Sequence, residues 1–308
     1  KTQKMLIKKD SFGIILLCNA IFFIVAAYLL PIRFETNDDV GMLLLASGKY
    51  TGTPEMFIAY IHCFYGWAIS GLYKLYPYWE WYTLSFCIFH ILANSVITGF
   101  LLKQGKTNLS RILLIGFFCV LELRFIQNLQ FTTTSSLMVI SGLLLMPESN
   151  KLRSLVGMLF VLIGFMFRLE AAIFVLILGV PYLIVKYNWG KNNRPFRTYI
   201  LLLIMLISMV ALKMTDDYMY SRTKAWNIFR EQSGLLRLID NPSVHLLSEQ
   251  HNLPKGIKDE DFKLLLKFFI DGSVFTKQTL SALNEKISQI PIFYKLPHVV
   301  KSLRSYSH

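Results

Sequence analysis

The residues best suited to chemistry lie near the start of the chain, in Glu35-Thr36-Asn37-Asp38-Asp39, followed by Ser47-Gly48-Lys49-Tyr50-Thr51-Gly52-Thr53-Pro54. Adjacent carboxylates can take a proton from a hydroxyl, or hold a divalent cation beside a phosphate. The same residue types also start helices well, because Asn and Asp accept from free backbone amides and suit the positive end of a helix over Val40–Ser47. The two roles are compatible, since one aspartate can cap while its neighbour faces a cavity.

A second set interrupts the apolar part of the chain. Glu122 and Arg124 fall near the end of one apolar run, and Arg168 and Glu170 break another in Phe165-Met166-Phe167-Arg168-Leu169-Glu170. Charges are costly in lipid and normally face a cavity or a partner. Arginine can clamp the oxygens of a phosphate, and a carboxylate can deprotonate an acceptor hydroxyl. The competing reading is that Arg168 and Glu170 snorkel from helix ends and pair with neighbours. Gln127, Asn128 and Gln130 precede Thr132-Thr133-Thr134-Ser135-Ser136, which either lines a sugar site or follows the commoner habit of bonding its own backbone and supporting helix packing. His62 and His90 sit in apolar segments with no second ligand at suitable spacing and read as buried core histidines. Cys18, Cys63, Cys87 and Cys119 likewise lie in apolar stretches without metal-like spacing and read as packing residues.

The elements that must position these groups are membrane helices. The chain has 308 residues, 54% of them hydrophobic, and a mean hydropathy of +0.46, with the apolar residues gathered in long runs. From Phe12 to Leu30 the lone strongly polar residue is Asn19. That run follows Lys1, Lys4, Lys8 and Lys9, but it is too long for a signal peptide, and Pro31-Ile32-Arg33 lacks a small-residue cleavage pattern, so it reads as an anchor. The net charge of +13 resides largely in short loops between apolar runs. That distribution is a topology signal and argues against a nucleic-acid partner.

The predicted fold is all-α: a polytopic transmembrane bundle over residues 1–213 and a helical domain over 214–308. About seven spans are expected, at 12–31, 81–102, 112–129, 131–146, 155–168, 170–186 and 199–213. Segment 56–76 is apolar enough to span. Counting it, however, would put Lys103…Arg111, Lys151…Arg153 and Lys186…Arg197 on the side opposite the basic N-terminus. Leaving it on the outer face collects all four basic clusters inside. The expectation is a multi-pass cell-membrane protein with a cytoplasmic N-terminus, an extracytoplasmic loop over 32–80 with juxtamembrane helices, and an extracytoplasmic C-terminal domain. The cluster Pro77-Tyr78-Trp79-Glu80-Trp81-Tyr82 suits the membrane–water interface where the second span begins. On this topology Asp38, Asp39, Glu122, Arg124, Arg168 and Glu170 all arrive at the outer level.

In the C-terminal region, Asp216 to about Ile239 reads as one helix ending at Asn241-Pro242. Asp259-Glu260-Asp261 opens a second over Phe262–Ile270, followed by Gly272, and Thr276 caps a third that runs to Gln289 before Pro291. A first residue other than Met and the closing Ser-Tyr-Ser-His suit a fragment of a longer protein.

Taken together, Asp38-Asp39 in the first outer loop, the helix and Ser47–Pro54 stretch behind it, the outer segment with His62, Gly66 and Leu72-Tyr73, and the Arg168-Leu169-Glu170 break resemble the GT-C class of membrane glycosyltransferases. More narrowly, Asp259-Glu260-Asp261-Phe262…Asp271…Phe275-Thr276 is similar to an aspartate-rich stretch in the outer domain of multi-spanning proteins of Gram-positive bacteria. The resemblance implies a sugar donor on a polyprenyl-phosphate carrier, a cell-envelope glycan or lipid acceptor, and inversion at the anomeric carbon. Asp38 or Asp39 would be the base, with Arg168, Glu170 and Arg124 at the carrier phosphate. Seven spans are few for that class. A divalent cation, Mg²⁺ or Mn²⁺, is compatible with this arrangement, and no residue pattern requires one. Two other readings compete: a lipid or polysaccharide transporter, which would place charges in mid-membrane, and an assembly protein in which the acidic pair only caps a helix.

Overall fold

The computed structural model of the chain describes residues 11–148, 150–189, 195–236, 253–265 and 274–289. It is mostly helical, and the described residues divide into two compact units, Lys1–Met219 and Tyr220–His308.

The first unit opens with α1 (Ser11–Leu29), a two-residue strand β1 (Arg33–Phe34), and two short helices, α2 (Asn37–Ala46) and α3 (Cys63–Leu75). Then come α4 (Trp81–Gln104), α5 (Asn108–Gln127), the second strand β2 (Asn128–Leu129), α6 (Phe131–Leu145), α7 (Lys151–Phe167), α8 (Leu169–Trp189) and α9 (Pro195–Ser221). Each of the seven expected span ranges is thus largely helix. Phe12–Leu29, Trp81–Gln104 and Tyr199–Ser221 are long and apolar enough to cross a membrane, while Phe131–Leu145 and Leu169–Val185 are apolar but shorter. The 13 residues of α3 rise only about 20 Å at 1.5 Å each, short of the roughly 30 Å of a hydrocarbon core.

Local chemistry fixes several boundaries. The Thr107 hydroxyl accepts from the Ser110 amide while the Ser110 hydroxyl accepts from the Thr107 amide, a reciprocal cap that starts α5. The Asn150 side chain accepts from the Leu152 amide at 2.9 Å and starts α7.

Helix α6 packs on α4, α7 and α8. Its contact with α7 is backbone to backbone: a Cβ on Gly142 would lie 2.5 Å from the Gly157 carbonyl oxygen, and one on Gly157 would lie 2.7 Å from the Gly142 carbonyl oxygen. Small residues that let helices approach this closely are what apolar solvents favour, where burying more hydrocarbon brings little gain. The distribution of side chains agrees. Ile14, Leu17 and Ile24 of α1, Leu113, Phe117 and Val120 of α5, and Phe174, Ile177 and Leu178 of α8 are 61% to 67% exposed. Meanwhile His90, Asn94, Ser95, Glu122, Thr134 and Ser135 are buried. An apolar exterior of this extent needs a cover other than water.

The second unit contains α10 (Lys224–Leu236), α11 (Asp259–Leu265) and α12 (Lys277–Gln289). Phe262, Leu265, Phe275, Leu280, Leu283 and Ile287 form its core. The three acids open α11 as expected, and the Thr276 hydroxyl accepts from the Thr279 amide at 3.4 Å at the start of α12. Asn241-Pro242, residues 266–273 and Pro291 lie outside the described residues.

The helix expected from Asp216 differs. α9 runs unbroken through Asp216 to Ser221, and α10 restarts at Lys224. Asp216 does not begin a helix because it is buried, with its carboxylate accepting from the Cys63 amide at 2.8 Å. It caps α3 from 153 residues away in the chain.

Candidate functional site

The site is assembled where the first loop meets the connection between α5 and α6. β1 and β2 pair in parallel, Arg33 opposite Asn128 and Phe34 opposite Leu129, and the Glu35 amide donates to the Leu129 carbonyl at 3.0 Å. Directly beyond, α2 begins at Asn37. Successive side chains on a helix point about 100° apart, and here that separates the acidic pair: Asp38 is exposed, whereas Asp39 is fully buried.

Asp39 is bound on both oxygens. Oδ2 accepts from the Thr36 hydroxyl at 2.9 Å, and Oδ1 accepts from the Tyr82 hydroxyl and the Phe131 amide, each at 3.2 Å. Phe131 is the first residue of α6, and a helix's first amides have no partner within it. Asp39 therefore caps α6 rather than the helix it belongs to, whose start has no side-chain cap bond, and it joins α2, α4 and α6 at one point. Burial pushes its carboxyl up to about 6, against the pull of Thr36, Phe131 and Tyr82.

Phe131 also carries the arginine. The Arg168 guanidinium lies 5.0 Å from the centroid of the Phe131 ring and 5.3 Å from that of Tyr60, and these two rings stack with an interplanar angle of 7°. Arg168 sits at the break between α7 and α8, with Nε 3.0 Å from Glu170 Oε2. The Ser135 hydroxyl donates to the carbonyls of Gly164 and Arg168 and so pins the break to α6. Phe131 thus joins Asp39 to Arg168, with Asp38 next to the one in the chain and Glu170 paired with the other.

Arg124 is exposed near the end of α5. Its carbonyl accepts from the Asn128 side chain, whose oxygen accepts from Arg33 Nε at 3.2 Å. Among the described residues its side chain makes no bond to Asp38, Asp39 or Arg168.

Glu122 does not share the rim position expected for it. It is 2% exposed and lies 3.1 Å from His90 Nδ1, while His90 Nε2 lies 3.1 Å from the Thr134 hydroxyl. The helical spacing of Glu122 and Arg124 explains the difference: two residues apart, they point to opposite faces of α5. Thr133, Thr134 and Ser136 donate to the carbonyls of residues three or four positions earlier, so the Thr/Ser run bonds backbone rather than presenting a free polar wall.

Sequence spacing did not bring together His62, Cys63 and Asp216, three buried residues whose ligand atoms lie within 4.8 Å of one another. Their type would suit a metal. All three ligand atoms are already engaged: His62 Nδ1 accepts from the Phe64 amide at 3.1 Å, Asp216 Oδ1 accepts from the Cys63 amide, and Cys63 Sγ lies 3.8 Å from His62 Nδ1. His62 Nε2 faces the Leu212 carbonyl at 2.9 Å. The cluster serves as the N-terminal cap of α3. Its signal was absent from the sequence because Asp216 is remote in the chain.

The molecule is thus a mainly helical protein with, among its described residues, three helices able to cross a membrane by length and composition, and a polar site at one end of its larger unit. No family model, no curated protein and no solved structure matches the chain.

Proposed function

We propose that the chain is a polytopic membrane glycosyltransferase of GT-C type, with α1 and α4 to α9 crossing the bilayer, its basic loops cytoplasmic and the Asp38–Arg168 end extracytoplasmic. The observation that carries this reading is the double role of Phe131, whose amide holds Asp39 and whose ring supports Arg168. It sets an exposed carboxylate and a cation at the same end of the bundle.

In this reading the two aspartates divide the work. Asp38, open to solvent, takes the proton of an acceptor hydroxyl as that oxygen attacks the anomeric carbon from the face opposite the carrier. The bond from that carbon to the carrier phosphate oxygen breaks, and the phosphate leaves as an anion without needing an acid. Asp39 holds α2 in place and touches no substrate. Arg168, braced by two rings and by Glu170, receives the phosphate charge. Arg124 belongs to the acceptor side or to the lipid headgroups.

The test is sugar release from a panel of polyprenyl-phosphate sugars by the purified protein. Asp38→Asn should lose about a hundredfold or more, as removal of a general base does, with its melting temperature unchanged. An unchanged rate for that variant, or no turnover of any donor, would remove the reading.

A second reading rests on the buried His90–Glu122–Thr134 network. Titratable groups inside a bundle suit a proton-coupled lipid or solute transporter. That reading gains if donors are not hydrolysed but proteoliposomes move a lipid-linked sugar in a manner abolished by Glu122→Gln.

A further inference from the structure

Independently of the proposed activity, we propose that the far end of the bundle is a binding site for an anionic phospholipid, with an acyl chain in the groove between α1, α4, α6 and α7 and the phosphate on Lys103 and Arg153.

The place is distinct from the Asp39 site. α4 leads from Tyr82, bonded to Asp39, to Lys103, a rise of roughly 30 Å at 1.5 Å per residue. α7 returns from Arg153 to Phe167 beside Arg168. At this far end lies a cavity of about 560 Å³, in the size range of sites that enclose a ligand. Its wall is apolar, with Ile15, Leu92, Val96, Leu144, Val156 and Phe160. Gly99 also faces it, and a Cβ there would come no nearer than 3.7 Å to Ile15 Cδ1. Unlike Gly142 and Gly157, this glycine is not required by a close backbone approach, and its missing side chain widens the groove.

The mouth has the opposite chemistry. Glu148 is shared by Lys103 at 3.3 Å and Arg153 at 2.6 Å, both half-exposed. Two cations on one carboxylate leave a net positive charge. An ammonium with three donors and a guanidinium with five are not exhausted by one carboxylate. A long apolar groove ending in surplus cationic donors matches a hydrocarbon chain ending in a phosphate. The walls include α1 and α4, two of the helices able to cross a membrane, so the occupant on hand is a lipid of the surrounding leaflet.

The experiment is native mass spectrometry of the full chain in detergent, titrated with phosphatidylglycerol, with phosphatidylcholine, and with phosphatidylglycerol in the presence of inorganic phosphate. Phosphatidylglycerol should be retained about tenfold more tightly than phosphatidylcholine, the effect of roughly one charge-assisted contact. Lys103→Gln should erase most of that preference. Glu148→Gln should strengthen it, because the carboxylate that competes with the phosphate is gone. Gly99→Leu should weaken both lipids by filling the groove. Lys103 and Glu148 are at the surface, so their variants keep the test meaningful if Gly99→Leu fails to fold. Equal retention of the two lipids, weaker phosphatidylglycerol binding in Glu148→Gln, or full displacement by millimolar inorganic phosphate would each overturn the proposal.

Discussion

Asp39 and Glu148 each tie helices together at one end of the same unit, and each accepts from more than one donor, yet their surroundings differ. Asp39 is fully buried and bound by a threonine, a tyrosine and a backbone amide, none of them charged. Glu148 is 26% exposed and lies between two cations. Burial drives the Asp39 carboxyl upward. For Glu148 burial is again the largest single effect and pushes upward, but Arg153 and Lys103 together overcome it and hold the carboxyl below its ordinary value. The acid that loses most water has neutral partners, so it can be neutral itself; the acid with charged partners stays wet. A carboxylate that positions a fold can thus be distinguished from one that clasps a surface by which form of the acid its site favours.

The largest effect that would sharpen this contrast is expected from Asp39→Ala, which strands the Tyr82 hydroxyl and the Phe131 amide in the interior. It should cost about 2–4 kcal/mol of unfolding free energy in detergent, the range for buried donors left without a partner; a cost below about 0.5 kcal/mol would mean that water replaces the carboxylate. Next is a pH dependence. The Asp39 carboxyl rises from 3.8 to about 6 on folding, so the folded state binds the proton more tightly. Its contribution is complete below about pH 4 and is lost as pH rises through about 6. Relative to Asp39→Asn, which has no such proton, the native chain should lose up to about 3 kcal/mol between pH 4 and 7, at about 1.4 kcal/mol per pH unit. Unfolding curves of the two proteins that stay parallel across that range would contradict it.

Much of this arrangement could be read from the sequence. The apolar runs that end at Arg168 and begin after the Pro77–Tyr82 cluster fall where helices end and begin, because lipid-compatible helices need long runs and their ends need polar partners; the runs expected from 112 and 155 start inside α5 and α7, whose caps Thr107 and Asn150 lie in the polar stretches before them. The acidic triplet and Thr276 likewise mark α11 and α12. What stayed hidden depends on rotation and on remote pairing. Nothing local says that Asp39 turns inward and Asp38 outward, or that Glu122 leaves Arg124 to meet His90 on another helix. Asp216 looked like the start of a polar helix because the fourteen residues before it are mostly apolar and those after it polar. Its real partner is the Cys63 amide, which only the folded chain brings near. The acidic pair was legible as a site and illegible as two different residues.

The smallest effect tests the other end. Glu148→Gln keeps the shape of the side chain and removes its charge, breaking two ion pairs whose basic partners are about half-exposed. Exposed pairs gain little over their hydrated components, so the cost in unfolding free energy should be below about 1 kcal/mol at low salt and should shrink as salt screens the charges. Asp39→Ala should show no comparable salt response, since its partners are neutral. If Glu148→Gln instead proved as damaging as Asp39→Ala, and equally insensitive to salt, the two ends would be held by the same kind of contact. The Lys103–Glu148–Arg153 group would then be part of the folded core, with no surplus charge for a headgroup.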